Sequence, residues 1–478
     1  MRAGTQDSGE EATAVAGSGA GPDVASAGLD SAGAGLDDRG AKGAGVSGAG
    51  AARGAVGVSG AEAAGAAGGA ARTRAGRGAG ADGTGAGVFG PDALGPGAVD
   101  ALDPDVVDAD VAGAVGRVLE GVLADRVRGA RAVDRLFADD LAERVAAFTL
   151  GGGKRLRSRF LWWGFRACGG GRDGGGAGPA LRVAAALELL QTCALVQDDV
   201  MDDSALRRGR PAVHADLAAR HGTGRALSFG AAAAVLAGDL ALSWADDTLA
   251  AAAAPAWSRR AVTGIWRALR DEMAAGQYLD LHAQVTGARS VGRAARTAFL
   301  KSALYSVERP LLLGAVLAGA GPRRMRELRL AGRCAGLAFQ FHDDLLGAFG
   351  DPRVTGKPAG EDVRDGRPTY LLTVARARAA AGDDPRAARL LESAVGRPVR
   401  GAAQVARVLA AVEAVGAAGA VAATVERLIG HGTARLAGAG LEPFAEHRLR
   451  ALMRQLAGPV PVLPGPERDA ATTDGGAG

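Results

Sequence analysis

The chain has 478 residues and a formal net charge of only +4. It carries no basic stripe with interleaved aromatics, which excludes a nucleic-acid-binding reading. Its three cysteines, Cys168, Cys193 and Cys334, lie far apart in apolar contexts. They offer neither a disulfide framework nor a zinc site and point to a reducing, cytoplasmic setting. No stretch reaches 18 uninterrupted apolar residues, and the Ala-rich run from Ala231 to Ala254 is broken by Gly238, Asp239, Asp246 and Asp247. A soluble protein without a membrane span is therefore expected.

In chain order, residues 1–97 are Gly, Ala, Ser and Asp with almost no large apolar side chain, and 458–478 resemble them. Neither segment can bury enough surface to offset its ordering entropy, so both are expected to be disordered. Residues 98–457 between them show helical periodicity and no β-branched alternation, which predicts one large all-α helical bundle around a central cavity. Apolar residues recurring at three and four predict helices over Val111–Val127, Val133–Phe148, Ala180–Val200 and Arg225–Leu249. Further helices are expected over Trp257–Gln284, Arg293–Leu317, Arg324–Leu346, Pro368–Ala380, Ala402–Ile429 and Pro443–Leu456. Gly178-Pro179 begins one helix with proline in its first turn, and Gly209 to Pro211 is expected to end it.

Two carboxylate clusters stand at the ends of long apolar runs. The first is Asp198-Asp199-Val200-Met201-Asp202-Asp203; the second is Asp343-Asp344, with Asp351 downstream. A single acidic run is usually a solvated helix end. Here there are two, each preceded by an apolar helix and followed by basic residues: Arg207-Arg208-Gly209-Arg210-Pro211 and Thr355-Gly356-Lys357-Pro358. Asp198 and Asp202, four apart, project from one face of a helix. Hard oxygen ligands that leave room for phosphate oxygens suit Mg²⁺. The pattern predicts a magnesium-diphosphate clamp at the mouth of an apolar tunnel. Lysine usage points the same way: the chain has four lysines, and Lys154, Lys301 and Lys357 all fall in motif-like settings. In so arginine-rich a chain, a retained lysine marks a site that wants a compact, movable ammonium.

The ordered set Gly152-Gly153-Lys154-Arg155-Leu156-Arg157, Asp198-Asp199-x-x-Asp202 with Arg207-Arg208-Gly209-x-Pro211, Phe339-Gln340-x-x-Asp343-Asp344 and Phe349-Gly350-Asp351-Pro352-x-x-Thr355-Gly356-Lys357 resembles the trans-isoprenyl diphosphate synthases, the polyprenyl synthetase family. The resemblance runs from about Val111 to Leu456 and implies the isoprenoid synthase helical fold, usually as a homodimer. It implies that Asp198 and Asp202 bind two magnesium ions and Asp343 a third, with Asp199 and Asp344 as second members of each motif. Arg207, Lys301 and Lys357 would contact the diphosphate of an allylic substrate, with Ser302 and Gln340 near its reacting carbon. Lys154, Arg157, Arg208 and Gln191 match the pocket for isopentenyl diphosphate.

The implied reaction is head-to-tail condensation: the allylic diphosphate ionises, couples to isopentenyl diphosphate and loses a proton. Two departures stand out. Ser158 replaces a common proline, a change expected to be mild. Gly347 stands where the second motif usually has its third Asp, and Asp351 is the candidate replacement. Residues Cys193 and Ala194, one turn before Asp198, are small, with Leu190 deeper; this favours a geranylgeranyl product, with a farnesyl or longer polyprenyl product open. A terpene cyclase and a non-catalytic partner subunit are the competing readings.

Overall fold

The computed structural model describes residue 99 and residues 102–172, 177–221, 224–287, 289–355 and 359–458. The 1–97 leader, the 459–478 tail and Lys357 lie outside the described residues. All described residues belong to one compact unit.

The chain enters through α1 (Pro104–Ala109) and α2 (Val111–Val133). Asp103 and Asp110 accept hydrogen bonds from first-turn amides of these helices, the usual satisfaction of orphan donors. The predicted helix over Val133–Phe148 is instead a helical run in three parts, Arg135–Phe137, the π-helical Ala138–Ala142, and α3 (Glu143–Leu150). Next come α4 (Leu156–Ala167), which periodicity had not marked, and α5 (Gly178–Met201). Helix α5 begins with proline in its first turn as expected, but it ends at Met201. Leu206–Arg207 (β1) and Arg210–Pro211 (β2) form a small antiparallel ribbon, the only strands among the described residues. Gly209 therefore serves this hairpin, with φ of 73°, rather than the helix end.

After α6 (Val213–Ala219) come α7 (Ala226–Ala250), α8 (Arg259–Thr286) and α9 (Val291–Ala298). A π-helical stretch, Phe299–Glu308, joins α9 to α10 (Arg309–Leu317), and α11 (Pro322–Phe349) carries the second carboxylate pair. The short helix Glu361–Asp365 then leads to α12 (Tyr370–Ala381), α13 (Pro385–Ala394), α14 (Ala402–Ala414), α15 (Ala417–Ala437) and α16 (Pro443–Leu456). The single helix expected over Ala402–Ile429 is thus two, bent by 61° at Gly416, whose φ of 68° suits glycine.

Two apolar cores form. One gathers α2, α4, α5, α7 and α10; the other gathers α9, the C-terminal half of α11, and α12 to α15. Both the π-helical stretch and α11 contribute side chains to each core. Lys301, Ser302, Gln340, Asp343 and Asp344 all lie on these two shared elements.

Helices α5 and α7 are each long and apolar enough to cross a membrane by length and composition. Neither is an unbroken apolar run: Arg182 and Glu188 interrupt α5, and Asp239, Asp246 and Asp247 interrupt α7. Helix α5 is mostly buried inside the protein, whereas α7 leaves Leu227, Phe229, Val235 and Leu236 exposed.

Helices α4 and α10 meet at glycine. A Cβ added to Gly314 would lie 1.9 Å from the Leu161 carbonyl oxygen, so only glycine permits this approach. Gly314→Ala is expected to destabilise the protein by about 1–3 kcal/mol through overpacking. Gly116→Ala, where a Cβ meets nothing within 4 Å, should instead stabilise by about 0.5–1 kcal/mol. Denaturant melts of the two variants beside the parent measure the contrast.

Candidate active site

Helix α5 brings the first carboxylates to the site. Asp198 is half-buried on the last turn, Asp199 is buried, and Asp202 caps the helix with its amide on the Asp198 carbonyl. The loop after α5 folds back through β1, so Arg207 reaches the carboxylates eight and nine residues earlier. Its Nε donates to Asp199 Oδ1 at 2.7 Å and its Nη2 to Asp198 Oδ2 at 3.2 Å. Lys301, from the π-helical stretch, donates to Asp198 Oδ1 at 3.3 Å and to Asp280 Oδ2 at 2.8 Å. Gln277 on α8 donates to the same Asp198 oxygen at 3.1 Å. Arg367 pairs with Asp202 at 3.0 Å, whose side chain is only 4% exposed.

These partners set the ionisation states. Burial works against charge on Asp198, but Lys301 and then Arg207 outweigh it and hold the carboxyl below its usual range. Burial pushes Asp199 up, opposed by Arg207, and pushes Asp202 up, opposed by Arg367. Lys301 keeps its proton more firmly than usual, since Asp280 and Asp198 outweigh the burial that disfavours its charge.

The second pair sits on α11. Asp343 is exposed, while Asp344 is buried and accepts hydrogen bonds from Gln340 Nε2 at 2.9 Å and the Leu371 amide at 3.4 Å. Ser302 donates to the other end of the Gln340 amide. Burial, reinforced by Asp362 and Asp343, pushes Asp344 up to about 8.

Two cavities open here. One, of about 360 Å³, is lined by Asp198, Arg207, Lys301, Ser302, Gln340, Asp343 and Asp344. The other, of about 650 Å³, is lined by Lys154, Arg157, Gln191, Arg208 and, again, Asp343. The predicted residues thus divide between two cavities that meet at Asp343, whereas Asp199 and Asp202 line neither. Arg208 donates to the Gly152 carbonyl, and Arg157 lies 4.2 Å over the Tyr305 ring while donating to Ser306 at 2.7 Å. The Gln191 side-chain oxygen is buried with no partner in the protein, so its amide has capacity for a ligand contact. Leu190, Cys193 and Ala194 line neither cavity: Leu190 and Cys193 are buried in the first core and Ala194 packs against it.

Sequence reasoning missed several participants. Asp280, Arg293, Arg296, Asp362 and Arg367 also line the smaller cavity. Gln277 and Asp280, three apart on one face of α8, were the available signal for that helix. Arg367 and Asp362 reach the site only through the chain reversal after α11, which no local pattern encodes. Asp351, the candidate to replace the residue missing at Gly347, lines neither cavity. It is exposed and holds Arg353 at 2.8 Å, whereas a Cβ on Gly347 would lie 2.8 Å from Asp362 Oδ2. The Asp362 carboxylate occupies the space a side chain at 347 would take.

The donors that could hold a metal are carboxylates, with no thiol or imidazole lining the smaller cavity, and such oxygens select a hard divalent cation. Asp199 Oδ2 is buried without a hydrogen-bond partner, which also fits a set built for further positive charge. Among the described residues, no three carboxylate, thiol or imidazole groups converge tightly enough to form a ready-made cage. Arg207, Lys301 and Arg367 pair with these acids instead.

Comparison with known proteins agrees with this geometry. The polyprenyl synthetase family profile matches residues 139–412, more than half of the chain. The chain belongs to the polyprenyl synthetase family. It is 31% identical over 242 residues to the short chain isoprenyl diphosphate synthase of Methanothermobacter thermautotrophicus, covering 51% of this chain and 69% of that one. It is 34% identical over 249 residues to geranylgeranyl pyrophosphate synthase 11, chloroplastic, of Arabidopsis thaliana, covering 50% and 65%. The match thus spans about two thirds of these relatives. Among solved structures, the geranylgeranyl pyrophosphate synthase of Corynebacterium glutamicum, complexed with isoprenyl diphosphate and magnesium, superposes with a TM-score of 0.69 at 34% identity, covering 75% of this chain and 99% of that one. The expected all-α isoprenyl synthase fold and the trans-prenyltransferase class both hold.

Asp344 gives the metal-free protein a pH signature. Its folded value of about 8 lies above the roughly 3.9 of an unfolded Asp, so folding favours the protonated form. The contribution is complete below the unfolded value and is lost as pH rises through the folded one. In EDTA, the melting temperature should therefore fall more between pH 5 and pH 8 for the parent than for Asp344→Asn. Equal slopes would show that Asp344 titrates normally.

Proposed function

We propose that the protein condenses isopentenyl diphosphate head-to-tail with an allylic diphosphate (dimethylallyl, geranyl or farnesyl), giving geranylgeranyl diphosphate. The observation that carries this reading is the pair of cavities meeting at Asp343, one combining carboxylates with Arg207 and Lys301, the other lined by Lys154, Arg157 and Arg208. A condensation needs two diphosphates held side by side. A terpene cyclase needs one, and would leave Lys154, Arg157 and Arg208 without a task.

Asp198, Asp202 and Asp343 would hold Mg²⁺, with Asp199 and Asp344 beside them; three ions are the count we propose. Bound there, Mg²⁺ supplies Lewis-acid neutralisation of the allylic diphosphate as its C–O bond breaks. Lys301 and Arg207 turn from the carboxylates to phosphate oxygens and stabilise the leaving charge. Lys357 joins them in this reading. Ser302 and Gln340 line the wall beside the reacting carbon. In the larger cavity, Lys154, Arg157, Arg208 and Gln191 fix the second diphosphate, so the isopentenyl double bond meets the allylic cation within one complex. A new C–C bond forms, and the departing diphosphate takes the proton.

Two further parts of the reading concern surroundings. The exposed apolar residues of α7 support a homodimer that covers them. Protein suits this helix better than lipid, because Asp246 and Asp247 near its end pair with Arg270 at 2.5 Å and Arg126 at 2.9 Å. The three free cysteines support a reducing, cytoplasmic location.

Incubation with Mg²⁺, isopentenyl diphosphate and each allylic primer, followed by product chromatography, tests the proposal. Asp198→Ala should lower turnover by about a hundredfold or more. Asp203→Ala, an exposed neighbour outside the motif spacing, should lose far less. Equal activity of Asp198→Ala and the parent would sink the metal-clamp role.

Product length gives the second test. If α5 borders the growing prenyl chain, Cys193→Phe with Ala194→Phe should shorten the product by at least one isoprene unit, while Leu190→Ala should lengthen it. Simple overpacking would instead cost about 1–3 kcal/mol per ring with no change of product. Chromatography beside a melting curve separates the outcomes.

A further inference from the structure

We propose that Glu188 is a positioning residue that shapes the larger cavity, with Ser158 as its partner; the proposal rests on the two-diphosphate reading above. Glu188 is buried on α5, ten residues before Asp198, and both of its carboxylate oxygens are engaged. Oε2 accepts from Arg155 Nη1 at 3.0 Å, and Oε1 accepts from Ser158 Oγ at 2.6 Å. Arg155 spends its other terminal nitrogen on the Thr149 carbonyl, also at 3.0 Å. The Thr149 hydroxyl lies 2.9 Å from that of Thr192, again on α5.

The segment between these fastenings is unusual. Gly152 and Gly153 have φ of 92° and 134°, and Arg155 follows at 45°. A left-handed backbone is natural for glycine but disfavoured for an L side chain such as arginine. No side chain caps the helix that starts immediately after Arg155. The buried ion pair to Glu188 fastens this turn to α5, beside the contact from Arg208 to the Gly152 carbonyl. Lys154 lies within the turn and Arg157 directly after it, and both line the larger cavity together with Glu188. Glu188 does not line the smaller cavity.

Ser158 then has a definite role. Its side chain is fully buried, donating to Glu188 and standing 3.2 Å from the Ala184 carbonyl. The serine expected to be a mild replacement is part of the clamp. A carboxylate beside a diphosphate pocket would by itself repel the ligand, so the charge of Glu188 helps binding only by ordering Arg155 and the turn. Positioning and repulsion therefore predict opposite signs on removal of the charge.

The test uses the full chain. Steady-state rates are measured against each substrate, and binding of isopentenyl diphosphate is followed by calorimetry. Glu188→Gln should raise the KM for isopentenyl diphosphate about tenfold, while kcat and the allylic KM stay within about twofold. Glu188→Asp, which restores the charge, should fall between parent and Gln variant. Ser158→Ala should raise the same KM about threefold, the effect of one lost hydrogen bond. An unchanged or lower isopentenyl KM in Glu188→Gln, or an equal rise for both substrates, would overturn the proposal. If circular dichroism shows that Glu188→Gln has not folded, Ser158→Ala decides, and an unchanged KM there overturns it. A parent chain that binds no isopentenyl diphosphate would overturn the two-diphosphate reading, and the clamp with it.

Discussion

Carboxylates at the ends of two apolar helices must be balanced where they are buried, and much of the site is arranged around that requirement. Asp199, with a side chain only 1% exposed, has Arg207; Asp202 has Arg367; Asp198 has Lys301 and Arg207. These cations come from three different segments, so satisfying the acids also draws the β1–β2 ribbon, the π-helical stretch and the segment before α12 to one place. Asp344 is balanced differently. Its recorded hydrogen bonds come from an amide side chain and a backbone amide, with Asp362 and Asp343 adding negative charge, and it responds by retaining its proton. Cationic side chains thus pair with the first motif, whereas Asp344 is held by neutral amides.

The two cores explain why the reacting side chains can be polar at all. Residues within either core are close-packed and apolar, leaving no room for a charged pocket. The elements shared by the cores, Phe299–Glu308 and α11, expose a flank at the seam, and that flank carries Lys301, Ser302, Gln340, Asp343 and Asp344. A π-helical stretch shifts the register of side chains relative to an α-helix. Here it turns Ala303 and Leu304 into one core and Tyr305 and Val307 into the other. Lys301 and Ser302 are left to face the cavity.

Much of this was legible in the sequence, for identifiable reasons. The long helices α5 and α11 announce themselves by apolar spacing, and the motifs at their ends are contiguous, so both carboxylate pairs and the basic loop after the first could be placed without coordinates. The break at Gly416 was not legible, because with 76 glycines in the chain a single glycine carries little information as a helix breaker. The hydrogen bond of Ser158 was not legible because its partner, Glu188, lies 30 residues away. Asp280, Asp362 and Arg367 were missed for the same reason: each acts through a tertiary pairing, and nothing in its immediate neighbours distinguishes it from a solvated charge. Conversely, Asp351 was attractive only because it was near in sequence, and the chain turns it away to Arg353.

Helix α5 is the element through which the two cavities are linked. Within one helix it carries Glu188 and Gln191 beside the larger cavity and Asp198 beside the smaller. At about 1.5 Å per residue, Glu188 and Asp198 are separated by roughly 15 Å along the axis. A buried helix does not stretch, so that spacing is fixed by covalent geometry rather than by loop conformation. Of the larger cavity's cations, by contrast, Lys154 lies on a glycine-rich turn with little stiffness of its own, and Arg157 in the helical turn directly after it. Tying that turn to α5 through Glu188 and Thr192 transfers the rigidity of the helix to Lys154 and Arg157. A coupling reaction between two separately bound diphosphates demands that kind of shared ruler, because an ångström of misplacement between reacting carbons removes much of the advantage of holding them together.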